Sequence, residues 1–413
     1  MEEFGRDWPL PAGGMDSCTT IEWAPEHVVV NTGRQNATVL YYWASRAGNC
    51  YLLGSDLAGL TARAMALAGP QNDRLGQIRA LRRDIRKIGG GRTAVFSVTG
   101  DRIDVRETVA RVWTPALIAG ESAQEAGERQ VEILRQEIVA SREPGPVTVV
   151  VSGGVDSGLV AALAQRTGVL DRLASLGTPW GNEYAAADEL GAHLGLPVHR
   201  IPLSENDILR ALPETIRMLG EPDRETIAAG VGLVAVYRQG AVPLGTVLTG
   251  VGSDLINSGH RVDADEVADL RAAVSDRLAE ASLTSELSGV AAAAHGYVLR
   301  HMYWSPAVIQ AALDTDPQVM RHRGREKGHL RTAAERLLPE SVAWRPKQAL
   351  HHGAGVDRNL EAAVARLLGG GAVDAGRFYR LVEAEVVEAL LASPHESPDS
   401  DKCLDRAVAA YAR

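Results

Sequence analysis

The chain has 413 residues, enough for two domains that each bury a core. Its composition, 45% hydrophobic and 23% charged, is typical of a globular protein, and its formal net charge of −9 argues against general nucleic-acid binding, which needs a basic face. The three cysteines (Cys18, Cys50 and Cys403) lack metal-ligand spacing, which favours a reducing cytoplasm over a disulfide framework. The N-terminus MEEFGRDWPLP is too acidic and polar for a signal peptide, and no apolar run approaches the roughly 18 residues that span a membrane. We expect a soluble cytoplasmic protein that binds neither nucleic acid nor membrane.

The pattern of apolar residues changes near residue 120. Before it, short β-rich segments (VVVNTG, ATVLYYWA, NCYLLGSD, RTAVFSV and DRIDVRE) are interrupted by one helical stretch, DRLGQIRALRRDIRKI. After it, ESAQEAGERQVEILRQEIVASR has the period of an amphipathic helix. Strands (DRLASLGT, VHRIPLS, TVLTGVGSD) then alternate with helices (EYAAADELGAHLGL, DILRALPETIRMLG), and from 264 the chain is mostly helical. We predict an α/β protein with a smaller β-rich domain, 1–120, and a parallel-sheet domain with a helical C-terminal part, 121–413.

The segment VTVVVSGGVDSGLVAALA, residues 147–164, predicts a phosphate-binding loop. Its run of β-branched residues indicates a buried strand, and LVAALAQ indicates a helix, so the free N–H groups and the helix dipole would meet at one anion site. Donors to a pyrophosphate would come from Ser152, Gly153, Gly154 and Ser157. Asp156 would repel phosphate unless a divalent cation lay between them, and Mg²⁺ is the usual one. The near-copy AGGMDSCTT, 12–20, comes after WPLP and runs into TTIEWAP, so we predict neither strand nor helix around it and no phosphate site.

The loop lacks the G-x-x-x-x-G-K-[ST] spacing and the lysine of a Walker loop. SGGVDS instead resembles the loop of the ATP pyrophosphatases, which cleave ATP between its α and β phosphates and leave an adenylated substrate. TVLTGVGSDLINSGH, with Asp254 after Gly250 and Gly252, would alone be read as a Gly-rich turn. Beside the loop it resembles the second metal-binding motif of the asparagine synthetase group. The resemblance implies a HUP-like synthetase domain in which Asp156 and Asp254 bind Mg²⁺.

A third segment is REKGHLRTAAERLLPESVAWRPKQALHHGAGV, 325–356. Lys327 is predicted on a helix and Lys347 in a loop after WRP. Two solvated surface lysines are the ordinary alternative. RPK before a loop with histidine and glycine resembles the synthetase motif whose lysine contacts the ATP phosphates and the adenylate. The resemblance therefore implies that Lys347 is catalytic, and we assign Lys327 a catalytic role as well.

Within that group the chain is most similar to the β-lactam synthetases, from about residue 50 to 360. LASLGTPWGNEYAAADELGAHL resembles their adenine-binding strand and helix, which implies that Leu176 contacts ATP. HMYWSPAVIQAAL resembles a helix of their C-terminal region, and RVWTPAL, 111–117, their interdomain strand. In that family ATP adenylates a carboxylate, and an amine of the same molecule attacks it to close a lactam.

Two departures from the family bear on function. Glu2 stands where asparagine synthetases have their glutamine-hydrolysing cysteine, and Cys18 would act only as a processed N-terminus, so we expect a shortened, degenerate Ntn-like domain without glutaminase activity. Val251 stands where β-lactam synthetases have a tyrosine that works with a glutamate to take a proton from the amine. Glu286 is at nearly the spacing of that glutamate, although an ordinary solvated carboxylate is the alternative. Deprotonation could instead fall to His351, His352 or water.

The sequence thus predicts an ATP- and Mg²⁺-dependent synthetase that adenylates a carboxylate, releases pyrophosphate and joins the product to an amine, most simply by ring closure in specialised metabolism. The substrate class is a small amino or carboxylic acid or a short peptide. Intermolecular ligation, including ammonia transfer, stays open, as does an inactive scaffold. A homodimer is also left open.

Overall fold

The computed structural model describes residues 19–35, 39–45, 50–69, 71–99, 102–110, 112–220, 224–257, 267–284, 289–346 and 350–413. In the first region, up to Val109, the elements are β1 (Thr20–Trp23), β2 (His27–Asn31), β3 (Leu40–Ala44), β4 (Tyr51–Gly54), α1 (Leu57–Ala68), α2 (Arg74–Asp84), β5 (Arg86–Ile88), β6 (Arg92–Thr99) and β7 (Arg102–Val109). They form two antiparallel sheets, ordered β1-β2-β6-β7 and β4-β3-β5. Val30, Phe96 and Ile88 pack between the sheets as one buried cluster.

Two details of the first region differ from the sequence prediction. The end of the predicted helical stretch, Arg86–Ile88, pairs with β3 as a strand, because its apolar Ile88 joins the cluster between the sheets. The segment after the near-copy of the phosphate loop forms β1, where a strand was not expected, because it pairs along its whole length with β2. The near-copy itself, including Cys18, lies outside the described residues except for its last two positions.

The second region is larger. Its elements are α3 (Ala123–Ala140), β8 (Val147–Val150), α4 (Val155–Arg166), β9 (Arg172–Thr178), β10 (Gly181–Asn182), α5 (Tyr184–Leu194), β11 (Val198–Pro202), α6 (Glu205–Arg210), α7 (Leu212–Leu219), α8 (Arg224–Gln239), β12 (Thr246–Thr249), α9 (Ser253–Ile256), α10 (Val267–Ala281), α11 (Val290–Ala294), β13 (Val298–His301), a 3₁₀ turn (Met302–Trp304), α12 (Pro306–Asp314), α13 (Pro317–Met320), α14 (Gly328–Ala334), α15 (Glu340–Ala343), α16 (Leu350–Gly353), α17 (Val356–Leu367), α18 (Ala375–Ala392) and α19 (Ser400–Tyr411).

The predicted parallel sheet is confirmed. Strands β11, β9, β8, β12 and β13 lie side by side and parallel, and β10 adds a short antiparallel pair at the end of β9. Successive side chains of β12 point to opposite faces: Leu248 packs with Leu134 and Leu159 of α3 and α4, whereas Val247 packs with Val231 of α8. The sheet is therefore buried on both sides, and its polar chemistry is confined to the strand ends.

Three other predicted segments are corrected by the structure. HMYWSPAVIQAAL is not one helix, because His301 ends β13 and the helix begins only at Pro306, where Ser305 caps it. The segment 112–117 forms no strand. DILRALPETIRMLG forms two helices, α6 and α7, that meet at Ala211 two residues before a proline. In the described part of the chain, no helix is long and apolar enough to cross a membrane.

The two regions contact each other through α1 and α18, which share a buried cluster that includes Met65 and Val387. Beside it, the Arg217 guanidinium donates two hydrogen bonds to Asp56 Oδ2, at 3.0 and 2.9 Å. Both side chains of this pair are nearly buried, and Asp56 also caps α1 by accepting from the Gly59 N–H. An ion pair thus fixes the first helix of one region to α7 of the other.

Candidate active site

The segment between β8 and α4 is a tight loop at the carboxyl end of a central strand. Gly153 has a φ of 74°, and a Cβ there would lie 2.4 Å from the carbonyl carbon of Ala186. Within the loop the Ser152 N–H donates to Ser157 Oγ at 3.2 Å. Gly154 caps α4 without a side-chain hydrogen bond, which leaves the first N–H groups of a 12-residue helix to a ligand. This geometry is the one expected of the predicted phosphate loop.

The turn after β12 packs directly on the start of α4. A Cβ on Gly250 would lie 2.6 Å from the Ser157 backbone nitrogen and 2.8 Å from the Asp156 carbonyl carbon. Only glycine permits this approach, and Gly252, with a φ of 97°, then turns the chain into α9. Asp254 lies in the first turn of α9 and is brought beside Asp156. The two glycines thus join two carboxylates that are almost a hundred residues apart in sequence.

Lys327 lies between the two carboxylates. Its Nζ is 2.5 Å from Asp156 Oδ2 and 2.6 Å from Asp254 Oδ1, and its side chain is fully buried. Lys327 is not inside a helix, as the sequence suggested, but is the residue before α14, with a left-handed backbone (φ 56°, ψ 30°) that non-glycine residues rarely adopt. Buried charge is costly unless it is paired. In the Asp156–Lys327–Asp254 cluster the ammonium is paired with a carboxylate on each side.

The donor set of this cluster fits a magnesium ion. Carboxylate oxygens are hard ligands, and the two from Asp156 and Asp254 already face a single cationic centre. Among the described residues no group of three or more His, Cys, Asp and Glu side chains forms a metal cage. Mg²⁺ is commonly held by one or two carboxylates with substrate phosphates, so this pair beside a phosphate loop is an appropriate arrangement.

Arg331 is a buried residue of the site that the sequence did not reveal. From α14 it donates through Nη1 to the carbonyls of Ala343 and Arg345, at 2.8 and 2.9 Å, and through Nη2 to Glu326, at 3.0 Å. These bonds hold the chain that leads to position 347 close to Lys327. No sequence pattern distinguishes such a clamp from a surface arginine.

Some of the predicted site residues lie outside the part of the chain that the structure describes. Lys347 and Glu286 are both in this group, and so is the side chain of His351. Their predicted roles remain predictions. His352 is described: its Nδ1 lies 2.6 Å from Asp357 Oδ2, and about half of its side chain is exposed. Leu176 is buried in β9 on the face covered by α8, where its side chain reaches Gly232.

Two further titratable residues, His301 and Tyr303, lie at the carboxyl end of β13, next to the Gly-rich turn. Nδ1 of His301 is 2.6 Å from Thr249 Oγ1, and burial lowers the pKa of His301 to about 4. Tyr303 is fully buried, and burial together with the nearby Asp156 and Asp254 carboxylates raises its pKa well above 10. Both residues were missed in the sequence because their segment was interpreted as a helix. A histidine at the end of an apolar strand was the available signal.

A parallel α/β sheet with a Gly-rich loop and paired carboxylates at its carboxyl edge defines a nucleotide-binding α/β protein. The model of the asparagine synthase family matches residues 136–291 and 287–408, and the chain belongs to this family. It is 31% identical over 282 residues to carboxyethyl-arginine beta-lactam-synthase of Streptomyces clavuligerus, a match that covers 66% of this chain and 54% of the relative. It is 28% identical over 237 residues to the glutamine-hydrolysing asparagine synthetase of Gallus gallus, with 53% and 41% covered.

The chain spans about half the length of the curated relatives that it matches. Among solved structures, the NMN synthetase of Francisella tularensis matches 64% of this chain and 93% of its own length at 13% identity. Its TM-score of 0.31 is too low to indicate a shared fold.

Proposed function

We propose that the protein is an ATP-dependent synthetase that adenylates a carboxylate and joins it to an amine. A carboxylate oxygen attacks the α-phosphorus of ATP, the bond to the β-phosphate oxygen breaks, and pyrophosphate leaves. The amine nitrogen then attacks the acyl carbon, and AMP leaves with the electrons of the broken C–O bond. The observation that carries this proposal is the buried Asp156–Lys327–Asp254 cluster, which lies against a loop with phosphate-loop geometry and no Walker lysine.

The described residues support a division of roles. The N–H groups and hydroxyls of the loop (Ser152, Gly153, Gly154 and Ser157) bind the pyrophosphate oxygens, and the Gly250 and Gly252 turn presents Asp254 to them. Asp156 and Asp254 would hold Mg²⁺, which would supply charge neutralisation to the leaving pyrophosphate. Lys327 balances the charge of both carboxylates and keeps them facing the same point. Leu176 provides an apolar surface at the base-binding side of the sheet.

Two residues outside the described part of the chain complete the proposal. Lys347 follows the segment that Arg331 clamps, and we assign it to stabilise the negative charge that develops during both chemical steps. Glu286 is assigned to the amine-attack step alone, so Glu286→Gln should slow product formation but leave pyrophosphate–ATP exchange intact.

Ring closure within one molecule is the form of the reaction we favour, in specialised metabolism and in the cytoplasm. It is supported by the likeness to a relative whose name describes β-lactam synthesis from carboxyethyl-arginine. Val251 offers no acid or base group in the turn, so we propose closure of a less strained amide or a larger ring than a β-lactam. Ligation of separate molecules, including ammonia transfer, is the second candidate, since the asparagine synthetase named above is also similar to this chain.

The desolvation free energy of the buried Asp156–Lys327–Asp254 cluster argues against an inactive scaffold. Two carboxylates and a fully buried ammonium pay a desolvation penalty that apolar residues of similar volume would avoid. A protein with no need to bind phosphate or metal gains nothing from that arrangement.

The test is to incubate the protein with ATP, Mg²⁺ and one of two probes: 5-aminopentanoate, which carries acid and amine together and closes to a six-membered lactam, or aspartate with ammonium. We expect AMP and pyrophosphate in equal amounts, and mass spectrometry should find a product that has lost one water. Loss of water from the first probe alone indicates ring closure, and an amide from the second indicates ligation. ADP and phosphate as the stoichiometric products would contradict the proposal.

A further inference from the structure

The amine that attacks an acyl-adenylate must lose a proton, and the turn beside the carboxylates contains no side chain that can take it. Val251 is apolar, and Gly250 and Gly252 have no side chains. The nearest described strand end, that of β13, places a histidine next to this turn. Thr249, the last residue of β12, is directly opposite His301 in the parallel register.

The His301 ring is held on one side only. Its Nδ1 lies 2.6 Å from Thr249 Oγ1, and the same oxygen accepts a hydrogen bond from the Val251 N–H at 3.2 Å. Its other ring nitrogen, Nε2, is buried and makes no hydrogen bond to any described residue. A buried ring nitrogen without a partner is uncommon, because losing water without replacement costs about 1–3 kcal/mol. Thr249 therefore orients the ring through Nδ1, and no described residue forms a hydrogen bond with Nε2.

His301 is on the face of the sheet that the nucleotide base is expected to use. Along parallel strands, residues two apart share a face, so His301 lies with Leu299, and Thr249 with Val247. Leu299 and Val247 both pack in the cluster under α8, and that cluster also contains Leu176. His301 thus lies at the same carboxyl edge as the phosphate loop and the carboxylates, two strands away from β8.

The other titratable groups near the cluster are unsuited to accept a proton. Burial and the two carboxylates raise the pKa of Tyr303 well above 10, so its hydroxyl stays protonated and does not act as a base. Asp156, Asp254 and Lys327 are committed to one another. Burial lowers the pKa of His301 to about 4, which keeps the ring neutral near pH 7, as a base must be. A weak base suffices, because the amine nitrogen becomes acidic as its bond to the acyl carbon forms.

We propose that Nε2 of His301 accepts the proton of the attacking amine, while its Nδ1–H donates to Thr249 Oγ1. In this step the C–N bond forms, the bond from the acyl carbon to the AMP oxygen breaks, AMP leaves with that electron pair, and one proton passes from the amine nitrogen to Nε2. His301 is then the catalytic residue that receives the proton, in the place that Val251 leaves empty, and Glu286 keeps the part of the partner that the family's glutamate plays beside its tyrosine. The inference rests on the proposed function and adds a proton acceptor to it.

His301→Asn is the decisive variant, because the asparagine amide still reaches Thr249 but lacks Nε2. With the probe acid and amine that yield product, amide formation should fall by about 10²–10⁴. Pyrophosphate–ATP exchange, which reports adenylation alone, should stay within about threefold of the wild type. Hydroxylamine, a weakly basic amine that sheds its proton readily, should react with the adenylate at nearly the wild-type rate in the variant. His193→Asn is the matched control: the His193 ring is hydrogen-bonded through Nε2 to the Leu337 carbonyl at 3.0 Å, and its loss should change neither rate.

Equal loss of exchange and amide formation would show that His301 supports the fold or the adenylation step, and an unchanged amide rate would remove it from the reaction. If His301→Asn does not fold, Thr249→Val serves instead, since it releases the ring without removing it and should slow only the amide step. Absence of exchange in the wild type with every probe would count against the proposed function rather than against His301.

A measurement on the protein without substrates then tests the charge and the tautomer that the proposal gives to His301. In ¹⁵N-histidine-labelled protein, with His301→Asn used to assign the signal, the NMR shifts should show a neutral ring near pH 7 with the proton on Nδ1. A proton on Nε2, or a charged ring at that pH, would overturn the proposal.

Discussion

The two regions of the molecule differ in the kinds of polar side chain that they bury. Up to Val109, the buried polar side chains among the described residues are all neutral: Thr32, Gln35, Thr61 and Gln77. In the second region the buried set includes Asp156, Lys327, Arg331 and Glu383. Buried charge is expensive and is retained where something is gained from it. The contrast supports our proposal that the first region is a structural unit and that the chemistry lies at the edge of the parallel sheet.

The largest effect is expected from neutralising the carboxylates of Asp156 and Asp254, which tests whether the buried charges of the second region serve the chemistry. Asp156→Asn or Asp254→Asn should abolish ATP-to-pyrophosphate turnover while the circular dichroism spectrum stays native, because each change removes a predicted metal ligand and one partner of Lys327. Asp188→Asn, at an exposed ion pair on α5, is the control and should retain turnover. Turnover of either site variant within about threefold of wild type would remove these carboxylates from the site.

A smaller loss of activity is expected when Lys347 is replaced, a residue whose role is assigned from the sequence alone. Lys347→Ala should lower both pyrophosphate–ATP exchange and product formation by about 10²–10³, the usual effect of losing one charge-stabilising contact in a transition state. Lys402→Ala, at a surface lysine paired with Asp399 on α19, should have no effect on either rate. If Lys347→Ala lowers product formation alone, the lysine acts only after the adenylate has formed.

The contact between the two regions should affect stability and not chemistry. Arg217→Ala removes two hydrogen bonds to a nearly buried carboxylate and should lower the free energy of unfolding by about 1.5–3 kcal/mol. Arg106→Ala, which breaks an ion pair that is mostly exposed on both sides, should cost less than about 1 kcal/mol. Chemical denaturation measures both. A loss of exchange activity in folded Arg217→Ala protein would show that the first region contributes to the site after all.

Added glutamine is expected to have no effect on the reaction. With Glu2 at the position of the family's glutamine-hydrolysing cysteine, added glutamine should neither yield glutamate nor raise the rate of product formation. Chromatography of the free amino acids measures this directly. Glutamate release that disappears in Cys18→Ala would show that the first region carries its own chemistry.

The scaffold of the site could be predicted from sequence because its signals are local. The β-branched run Val147–Val150, the alternation of strands with helices, and the two Gly-rich turns each indicate a short stretch of structure. Parallel strands then bring their carboxyl ends to one edge, and the resemblance to the asparagine synthetase group paired the Asp156 and Asp254 loops there.

The position of Lys327 could not be predicted in the same way. Its burial between the carboxylates depends on a left-handed backbone before α14 and on the packing of α14 against α3, where Gly127 allows the His329 carbonyl to approach. His301 and Tyr303 were missed for a related reason. Their segment is apolar and aromatic, and short apolar runs fit a helix or a strand equally well until their neighbours are known.

The central claim is that ATP activates a carboxylate by adenylation at the edge of the parallel sheet. It is tested most directly by labelling the carboxylate of the productive probe acid with ¹⁸O and analysing the nucleotide product by mass spectrometry. Adenylation makes one carboxylate oxygen part of the phosphate of AMP, so the account predicts AMP with one ¹⁸O atom together with unlabelled pyrophosphate. Unlabelled AMP, or ADP with the label in inorganic phosphate, would contradict it.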